Sequence, residues 1–167
     1  MTNHPNHCRI DRTVDASAYE FVSFSWPAPN LPEAHWPNAP GAVRWDDRSR
    51  PLLLHFAPGR WLAPQPTPQT LAFLGEAARS GTGTLTDVTG KWDALQIRGP
   101  GATRLLACTV NYEVLLGNRD CASATLFDCP AILMRTADGV SMWVQSSYTA
   151  HFLATAERFR TALEGDD

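Results

Sequence analysis

The sequence predicts an α+β fold in which antiparallel sheets are packed by helices. Short runs of residues alternate between apolar and polar, the period of a strand, while other segments repeat apolar residues at helical spacing. Ten of the 13 prolines lie between Pro27 and Pro68. That span cannot be mostly helical, because proline fixes φ and lacks an amide donor. Asp138-Gly139 separates two apolar runs and is typical of a hairpin turn.

Residues 1–50 are predicted to form an extended N-terminal arm rich in proline and tryptophan, and residues 51–167 to form one α+β domain. Four of the six tryptophans lie in or beside the proline-rich span, namely Trp26, Trp36, Trp45 and Trp61. Two interpretations of the arm are open. Its aromatic residues could lie on a partner subunit, or the arm could be a loop packed on its own domain.

The predicted domain begins with a hairpin and a helix. Residues 52–56 alternate as a strand, and Trp61-Leu62 follow a Pro-Gly turn as the second strand. Thr67 supplies a capping hydroxyl before Pro68, which suits the first position of a helix. Apolar residues then repeat at helical spacing until Gly81, which predicts a helix of about three turns.

The second half alternates strands and helices. After a turn at residues 87–90, the pattern predicts a strand at 94–98, a helix at 102–108, three short strands at 125–127, 132–135 and 140–145, and a final helix capped by Ser147 or Thr149. In the last strand Val140, Met142 and Val144 share one face, which we expect to be buried. The opposite face carries Trp143 and is either solvated or in contact with a partner.

Composition excludes several classes of function. The 167 residues include 14 basic and 17 acidic side chains, so no excess of positive charge is available for nucleic acid or an anionic membrane. No segment approaches the roughly 18 consecutive apolar residues of a membrane span. The four cysteines lack paired C-x2-C spacing and are predicted to be reduced core residues, which indicates a cytoplasmic protein.

Candidate metal ligands and nucleophiles are few. His4, His7 and Cys8 are close in sequence, but zinc would need a fourth ligand such as Asp11, and side chains near a terminus are more often solvated. Nucleophilic catalysis would combine a cysteine with a histidine, from Cys108, Cys121 and Cys129 on one side and His35, His55 and His151 on the other. The chain has no G-x-S-x-G, and these cysteines lie on predicted strands or helices, which favours a core role.

The glycine-rich loops and the carboxylates also point to structural roles. Gly81-Thr82-Gly83 lacks the Lys-Ser/Thr of phosphate loops, and Gly99-Pro100-Gly101 has a proline where a dinucleotide loop needs an amide donor. We interpret them as a helix C-cap and a tight strand-to-helix turn. Asp46-Asp47 and Asp166-Asp167 are adjacent pairs without catalytic spacing. No catalytic, cofactor-binding or metal-binding residue is predicted.

Five segments in order carry a resemblance to a known family. They are Phe56-Ala57-Pro58-Gly59-Arg60-Trp61-Leu62, Asp87-Val88-Thr89-Gly90, Gly99-Pro100-Gly101-Ala102, Cys121-Ala122-Ser123-Ala124-Thr125-Leu126, and Ala131 to Arg135 running on to residues 142–147. Their order and spacing over more than half of the chain resemble the folate-binding glycine-cleavage T-protein superfamily, and within it the small gamma subunit of heterotetrameric sarcosine oxidase.

The resemblance implies a T-protein-like half-domain and a small, non-catalytic subunit of a sarcosine oxidase-type complex. Such a complex oxidatively demethylates sarcosine or a related N-methyl amine, giving the demethylated amine, hydrogen peroxide and 5,10-methylenetetrahydrofolate. The partners would be alpha, beta and delta subunits, and we expect Trp143, Trp92 and the arm around Trp36 to contact them. FAD, FMN, NAD, tetrahydrofolate and zinc are implied for the assembled complex and none for this chain, which is predicted to be inactive alone.

The resemblance leaves the substrate of the complex open, and a second function is an alternative. Asn111 stands about where the gamma chain would carry an aspartate, so the amine of the parent complex is not specified. The alternative function is a stand-alone folate-binding protein of the same superfamily. Such proteins carry a Lys-Gly-Cys stretch, and this sequence has none.

Overall fold

A computed structural model of the chain describes residues 7–13, 17–24, 36–37, 39–45, 51–111 and 115–165. The strands are β1 (Arg9–Thr13), β2 (Ala18–Ser23), β3 (Val43–Trp45), β4 (Pro51–Ala57), β5 (Arg60–Pro64), β6 (Gly83–Asp87), β7 (Trp92–Arg98), β8 (Cys121–Leu126), β9 (Cys129–Thr136) and β10 (Gly139–Gln145). The helices are α1 (Pro68–Arg79), α2 (Ala102–Ala107) and α3 (Thr149–Gly165), the last preceded by a single 3-10 turn.

The strands form two five-stranded sheets. Sheet A has the order β1-β7-β10-β9-β8, and sheet B has the order β3-β4-β5-β2-β6. Every pairing whose register is defined is antiparallel. The predicted α+β fold with antiparallel sheets is therefore confirmed.

The chain divides into two compact units. Unit one consists of residues 1–14, 91–118 and 123–167, and unit two of residues 15–90 and 119–122. Sheet A belongs to unit one together with α2 and α3, apart from the first two residues of β8. Sheet B and α1 belong to unit two.

The core of unit one forms where α2 and α3 pack against β10. Val140, Met142 and Val144 are buried, as predicted for that strand face. The helices contribute side chains that are fully buried, namely Leu105, Leu106, Phe152 and Ala156. In α3 the spacing of four residues between Phe152 and Ala156 puts both on one face of the helix.

The second face of β10 is buried as well. Ser141 is 8% exposed and Trp143 is 5% exposed, so the prediction of an accessible face was wrong. Ser141 accepts a hydrogen bond from the side chain of Gln96 on the neighbouring strand, with the two atoms 3.4 Å apart. Alternation in sequence identified the two faces but did not show that both are covered, because a central strand can be buried on both sides.

Unit two is built around an aromatic core. Its buried members are Phe21, Trp36, Leu53, Trp61, Ala63, Leu74 and Ala77. Helix α1 begins as predicted, with Pro68 in its first turn and the Thr67 hydroxyl accepting the Thr70 N–H at 3.1 Å. Gly81 follows the end of this helix with φ +77°, a conformation that glycine adopts without steric cost.

The two units do not divide at residue 50. Strand β2 lies between β5 and β6 in sheet B, and β1 pairs with β7 in sheet A. Both strands come from the segment that we expected to be an extended arm. Their partner strands are distant in sequence. Local composition, from which the boundary at residue 50 was predicted, therefore gives no sign of this pairing. Much of the predicted arm, including residues 25–35 and 46–50, lies outside the described residues.

The turn between β9 and β10 depends on a glycine. Gly139 has φ +152°, and a Cβ at this position would lie 2.0 Å from the carbonyl oxygen of Ile97 on β7. Asp138-Gly139 thus marks the hairpin as predicted. The sequence indicated glycine for the geometry of the turn. The structure adds a second reason, because strand β7 approaches the Gly139 backbone too closely for a side chain.

Candidate functional site

The cysteines predicted as core residues are buried, with one exception. All four thiols are free. Burial raises the pKa of Cys8 and of Cys129, and raises that of Cys121 to about 12. These three thiols are therefore protonated at neutral pH and are poor nucleophiles. Cys108 is exposed at the end of α2, which differs from the predicted core position.

The cluster predicted as a possible zinc site does not come together among the described residues. His7 lies 3.4 Å from Glu164 of α3, whereas Asp11 pairs with Arg9, and Cys8 is buried. His4 lies outside the described residues. Within the described ranges, no three His, Cys, Asp or Glu side chains are grouped closely enough to hold a metal ion.

His55 is a fully buried ionisable side chain of unit two. It is 0% exposed, and its ring stacks on Trp61 with the ring centres 4.4 Å apart. Its Nδ1 lies 2.8 Å from the carbonyl oxygen of Pro37. Because a carbonyl can only accept, Nδ1 is the protonated nitrogen and donates. Burial lowers the pKa of His55, so the ring is neutral at neutral pH.

The Pro37 carbonyl holds part of the predicted arm against sheet B. It accepts a second hydrogen bond from the Trp61 indole N–H at 3.3 Å. Trp36, the preceding residue, is 3% exposed, and its ring lies 4.7 Å from Phe21 and 4.9 Å from Trp61 between ring centres. Trp36 is thus a core residue of its own unit. At this position, the interpretation that the arm packs on its own domain is favoured over contact with a partner subunit.

We expect the buried His55 to make the chain less stable in mild acid. Its pKa is lower in the folded state, so below its usual value of 6.5 the unfolded state binds more protons. The free energy of unfolding is therefore unaffected above that pH and falls as the pH decreases toward the lowered pKa. Urea unfolding measured from about pH 7.5 to about pH 5 checks this decrease.

Two variants isolate the contribution of His55. H55Q removes the titrating ring, so its stability should change less with pH across this interval, whatever its absolute stability. H151Q removes a histidine that is exposed on α3 and should keep the acid decrease of the unmodified chain. Equal pH dependence in the unmodified chain and H55Q would contradict the assignment.

The Asp87 to Gly90 turn fastens β6 to β2. The Thr89 hydroxyl accepts the backbone N–H of Ala18 at 3.2 Å, and the Asp87 carboxylate accepts the Thr89 N–H at 2.9 Å. Hydrogen bonds to the Asp87 carboxylate from the backbone and the side chain of Thr89, together with one from the side chain of Tyr19, lower the pKa of Asp87. The motif that contributed to the family resemblance thus has a structural role in this chain.

The Gly-Pro-Gly segment forms the predicted strand-to-helix turn. The Ala102 N–H donates to the Gly99 carbonyl and the Gly101 N–H donates to the His7 carbonyl, both at 3.1 Å. A Cβ on Gly99 would lie 2.8 Å from that same His7 oxygen. The glycine therefore allows residues 7–8 to pass close to the turn, which accounts for its place in the motif.

Arg60, another residue of the resemblance, pairs with a carboxylate that the sequence did not single out. Glu20 on β2 is 5% exposed, and its Oε1 accepts the Arg60 Nε–H at 2.9 Å. The Arg60 guanidinium also lies 5.2 Å from the centre of the Phe56 ring. The pair joins β2, β4 and β5 and compensates a buried charge. Glu20 was missed because no motif surrounds it.

The exposed aromatic side chains are the best candidates for contact with another protein. Among the described residues they are Phe24 (68% exposed) and Trp45 (39%) in unit two, with Tyr148 (42%) and Phe159 (39%) in unit one. The contact candidates named from sequence were Trp36, Trp92 and Trp143. Trp36 and Trp143 are buried within this chain, and Trp92 is half-buried. No described helix is long and apolar enough to cross a bilayer.

The fold has a counterpart among solved structures. A chain of the heterotetrameric sarcosine oxidase from Corynebacterium sp. U-96, in complex with pyrrole 2-carboxylate, superposes with a TM-score of 0.74. The match covers 96% of this chain and 87% of that chain at 21% sequence identity. At this identity the likeness establishes the fold.

A second structure, the regulatory subunit of aspartate kinase from Thermus thermophilus in its ligand-free form, gives a TM-score of 0.48. It has 9% identity and covers 90% of this chain and 97% of that chain. No protein-family model and no curated protein matches the sequence.

Proposed function

We propose that this chain is the small, non-catalytic gamma subunit of a heterotetrameric sarcosine oxidase-type complex. The observation that carries the proposal is the fold shared with a chain of such a complex at a TM-score of 0.74. The shared fold extends over 96% of this chain and 87% of that one, so the likeness is between two chains of similar length. The five sequence segments described above resemble the same kind of subunit.

The chemistry of the described side chains supports a non-catalytic role. The three buried thiols are protonated, and His55 is a buried, neutral ring stacked on Trp61. The motif residues Asp87, Thr89, Gly99 and Arg60 have structural partners of their own. In this proposal the chain contributes packing surface, and the alpha, beta and delta subunits carry the catalytic groups.

The proposed complex oxidises sarcosine or a related N-methyl amine at a flavin. The amine is demethylated, tetrahydrofolate accepts the one-carbon unit as 5,10-methylenetetrahydrofolate, and oxygen is reduced to hydrogen peroxide. FAD, FMN, NAD, tetrahydrofolate and zinc belong in this proposal to the assembled complex, in the cytoplasm. We assign the exposed aromatic side chains of each unit to subunit contact, namely Phe24 and Trp45 in unit two and Tyr148 and Phe159 in unit one.

Purification of a tagged copy from the native host tests the proposal. We expect the chain to bring down three other chains in a yellow complex that produces hydrogen peroxide from sarcosine or a similar N-methyl amine. The variants F24S in unit two and Y148S in unit one should reduce the recovery of the other chains without unfolding this one, because both side chains are exposed. T161S, on the exposed face of α3, is the matched control and should leave the recovery of the other chains unchanged.

Two results would contradict the proposal. A tagged chain recovered colourless and without other chains would remove the assigned function and leave the fold unchanged. Tight binding of a reduced folate by the purified chain alone would favour the alternative, a stand-alone folate-binding protein. Isothermal titration of the purified chain with tetrahydrofolate measures that binding directly.

A further inference from the structure

The turn between β9 and β10 contains a chemically reactive pair of residues. The sequence has one Asp-Gly pair, Asp138-Gly139, and no Asn-Gly pair. Aspartate followed by glycine is especially prone to isomerise, because no side chain shields the glycine nitrogen from the aspartate side chain. Asp138 is exposed, and Gly139 is the first residue of β10, the central strand of sheet A.

The isomerisation needs only water. The Gly139 nitrogen attacks Cγ of Asp138, and the new C–N bond closes a five-membered succinimide ring as the carboxyl OH and the amide hydrogen leave as water. Water then reopens the ring. Hydrolysis at Cγ restores aspartate, whereas hydrolysis at the main-chain carbonyl carbon of Asp138 gives isoaspartate. The main chain of isoaspartate runs through Cβ and Cγ and is longer by one carbon atom, and nothing is oxidised or reduced.

The fold holds this pair away from ring closure. The Asp138 carbonyl accepts the Gly99 N–H at 3.1 Å. Gly139 lies opposite Thr136 on β9 and opposite Arg98 on β7. Closing the ring rotates the Asp138-Gly139 segment out of its pairing with both strands, so the backbone opposes the reaction.

The Asp138 side chain has a weaker restraint. Its carboxylate accepts the Thr136 hydroxyl at 3.3 Å and lies 3.4 Å from Nε of Arg98. The contact with Arg98 is exposed, so it contributes little. Protection of the pair therefore depends on the pairing of β10, and a motion of the side chain alone does not remove it.

The isomerised main chain does not fit the folded sheet. A Cβ on Gly139 would lie 2.0 Å from the Ile97 carbonyl oxygen, so β7 leaves no room for an added atom beside this backbone. Isomerisation also turns the main-chain carbonyl of Asp138, the acceptor of the Gly99 N–H, into a free carboxylate. Strand β10 would have to shift its register, and its alternating side chains are buried on both faces.

We propose that Asp138 is a modification site that records unfolding of the chain. In the folded protein the Asp138-Gly139 pair is stable. In the unfolded protein it isomerises, and the product is unable to regain the native sheet A. Opening requires the start of a central strand to leave both of its neighbours, which fraying of an exposed turn does not achieve. Time spent unfolded thus converts a reversible transition into an irreversible loss.

Incubation in guanidinium chloride tests the proposal. The purified chain is kept reduced at neutral pH, with and without denaturant, and samples are digested with the protease Asp-N, which cleaves before aspartate but not before isoaspartate. Mass spectrometry should show isoaspartate at position 138 accumulating with time in denaturant and staying at its starting level in native buffer. After dilution, the fraction that fails to regain native circular dichroism should equal the isomerised fraction.

Two variants make the test specific to this pair. In D138E the ring would have six members and would close far more slowly, so this variant should keep its refolding yield after the same incubation. D120E makes the same change at another exposed aspartate, which is followed by a cysteine instead of a glycine. It should lose refolding yield as the unmodified chain does.

Three results would overturn the proposal. One is isoaspartate at position 138 forming as fast in native buffer as in denaturant. Another is an isomerised chain that regains the native circular dichroism. The third is a loss of refolding yield in D138E equal to that of the unmodified chain.

Discussion

Replacing Trp61 by alanine is expected to lower the free energy of unfolding by about 3–5 kcal/mol. Trp61 is 1% exposed and is the largest fully buried side chain among the described residues. Its ring contacts Trp36, Phe21 and the stacked His55, and its indole N–H donates to the Pro37 carbonyl. Alanine would leave a cavity at the centre of unit two and one acceptor without its second donor. Urea or guanidinium unfolding measures the loss.

Trp45 provides the matched control for this substitution. It is 39% exposed at the end of β3, so W45A should cost about 1 kcal/mol or less. Because the chain contains two units, the unfolding curves should be followed by tryptophan fluorescence and circular dichroism together. Similar losses in W61A and W45A would mean that the aromatic core does not determine the stability of unit two.

Phe127 combines a buried ring with an unfavourable backbone conformation, so glycine should be tolerated better than alanine at this position. Phe127 and Asp128 form the two-residue turn between β8 and β9, with φ of +47° and +62°. The ring is 5% exposed and lies 5.3 Å from Phe152 and 5.4 Å from Phe159 between ring centres. F127A should lose about 3–5 kcal/mol through the missing ring. F127G should be more stable than F127A by about 1 kcal/mol, because glycine adopts positive φ without strain.

Phe152 is the control, because it is buried and its ring packs against Phe127 from a regular helix. Within α3, glycine costs about 1 kcal/mol more than alanine, so F152G should be less stable than F152A. The order of the two variants is thus expected to reverse between the two positions. The free energies of unfolding of the four proteins test this reversal. The same order at both positions would show that the turn does not impose positive φ on residue 127.

Elements with a local signal were predicted well from the sequence. Helix α1 has a capping threonine, a proline in its first turn and a glycine after its end, and each of these signals acts within a few residues. The hairpin of β4 and β5 and the hairpin of β9 and β10 have alternating apolar residues and a glycine near the turn. The prediction that Phe127 lies in a strand was wrong. Phenylalanine favours strands, but the two-residue connection between β8 and β9 imposes a positive φ on this residue.

The strands that the sequence did not reveal are defined by distant partners. Strand β1 (Arg9–Thr13) consists mostly of charged and polar residues, and β6 alternates threonine with other small or polar residues around one leucine. Neither shows an apolar face, so periodicity alone assigns them to loops. The same limit applies to the candidate contact residues. A buried and an exposed tryptophan look alike in sequence, so Trp36 and Trp143 were named while Phe24, Tyr148 and Phe159 were not.

The pairing of β1 with β7 has a consequence for how the chain is made. Unit one begins with Arg9–Thr13, but the strand that pairs with this segment is translated only after all of residues 15–90. Synthesis runs from the N-terminus, so β1 leaves the ribosome without a partner while sheet B is still being completed. The last strand of sheet A, β10, and the helix α3 come later still in the sequence. Unit one therefore completes its fold only after these elements have been synthesised, and a product terminated before them would contain its first strand without most of its sheet.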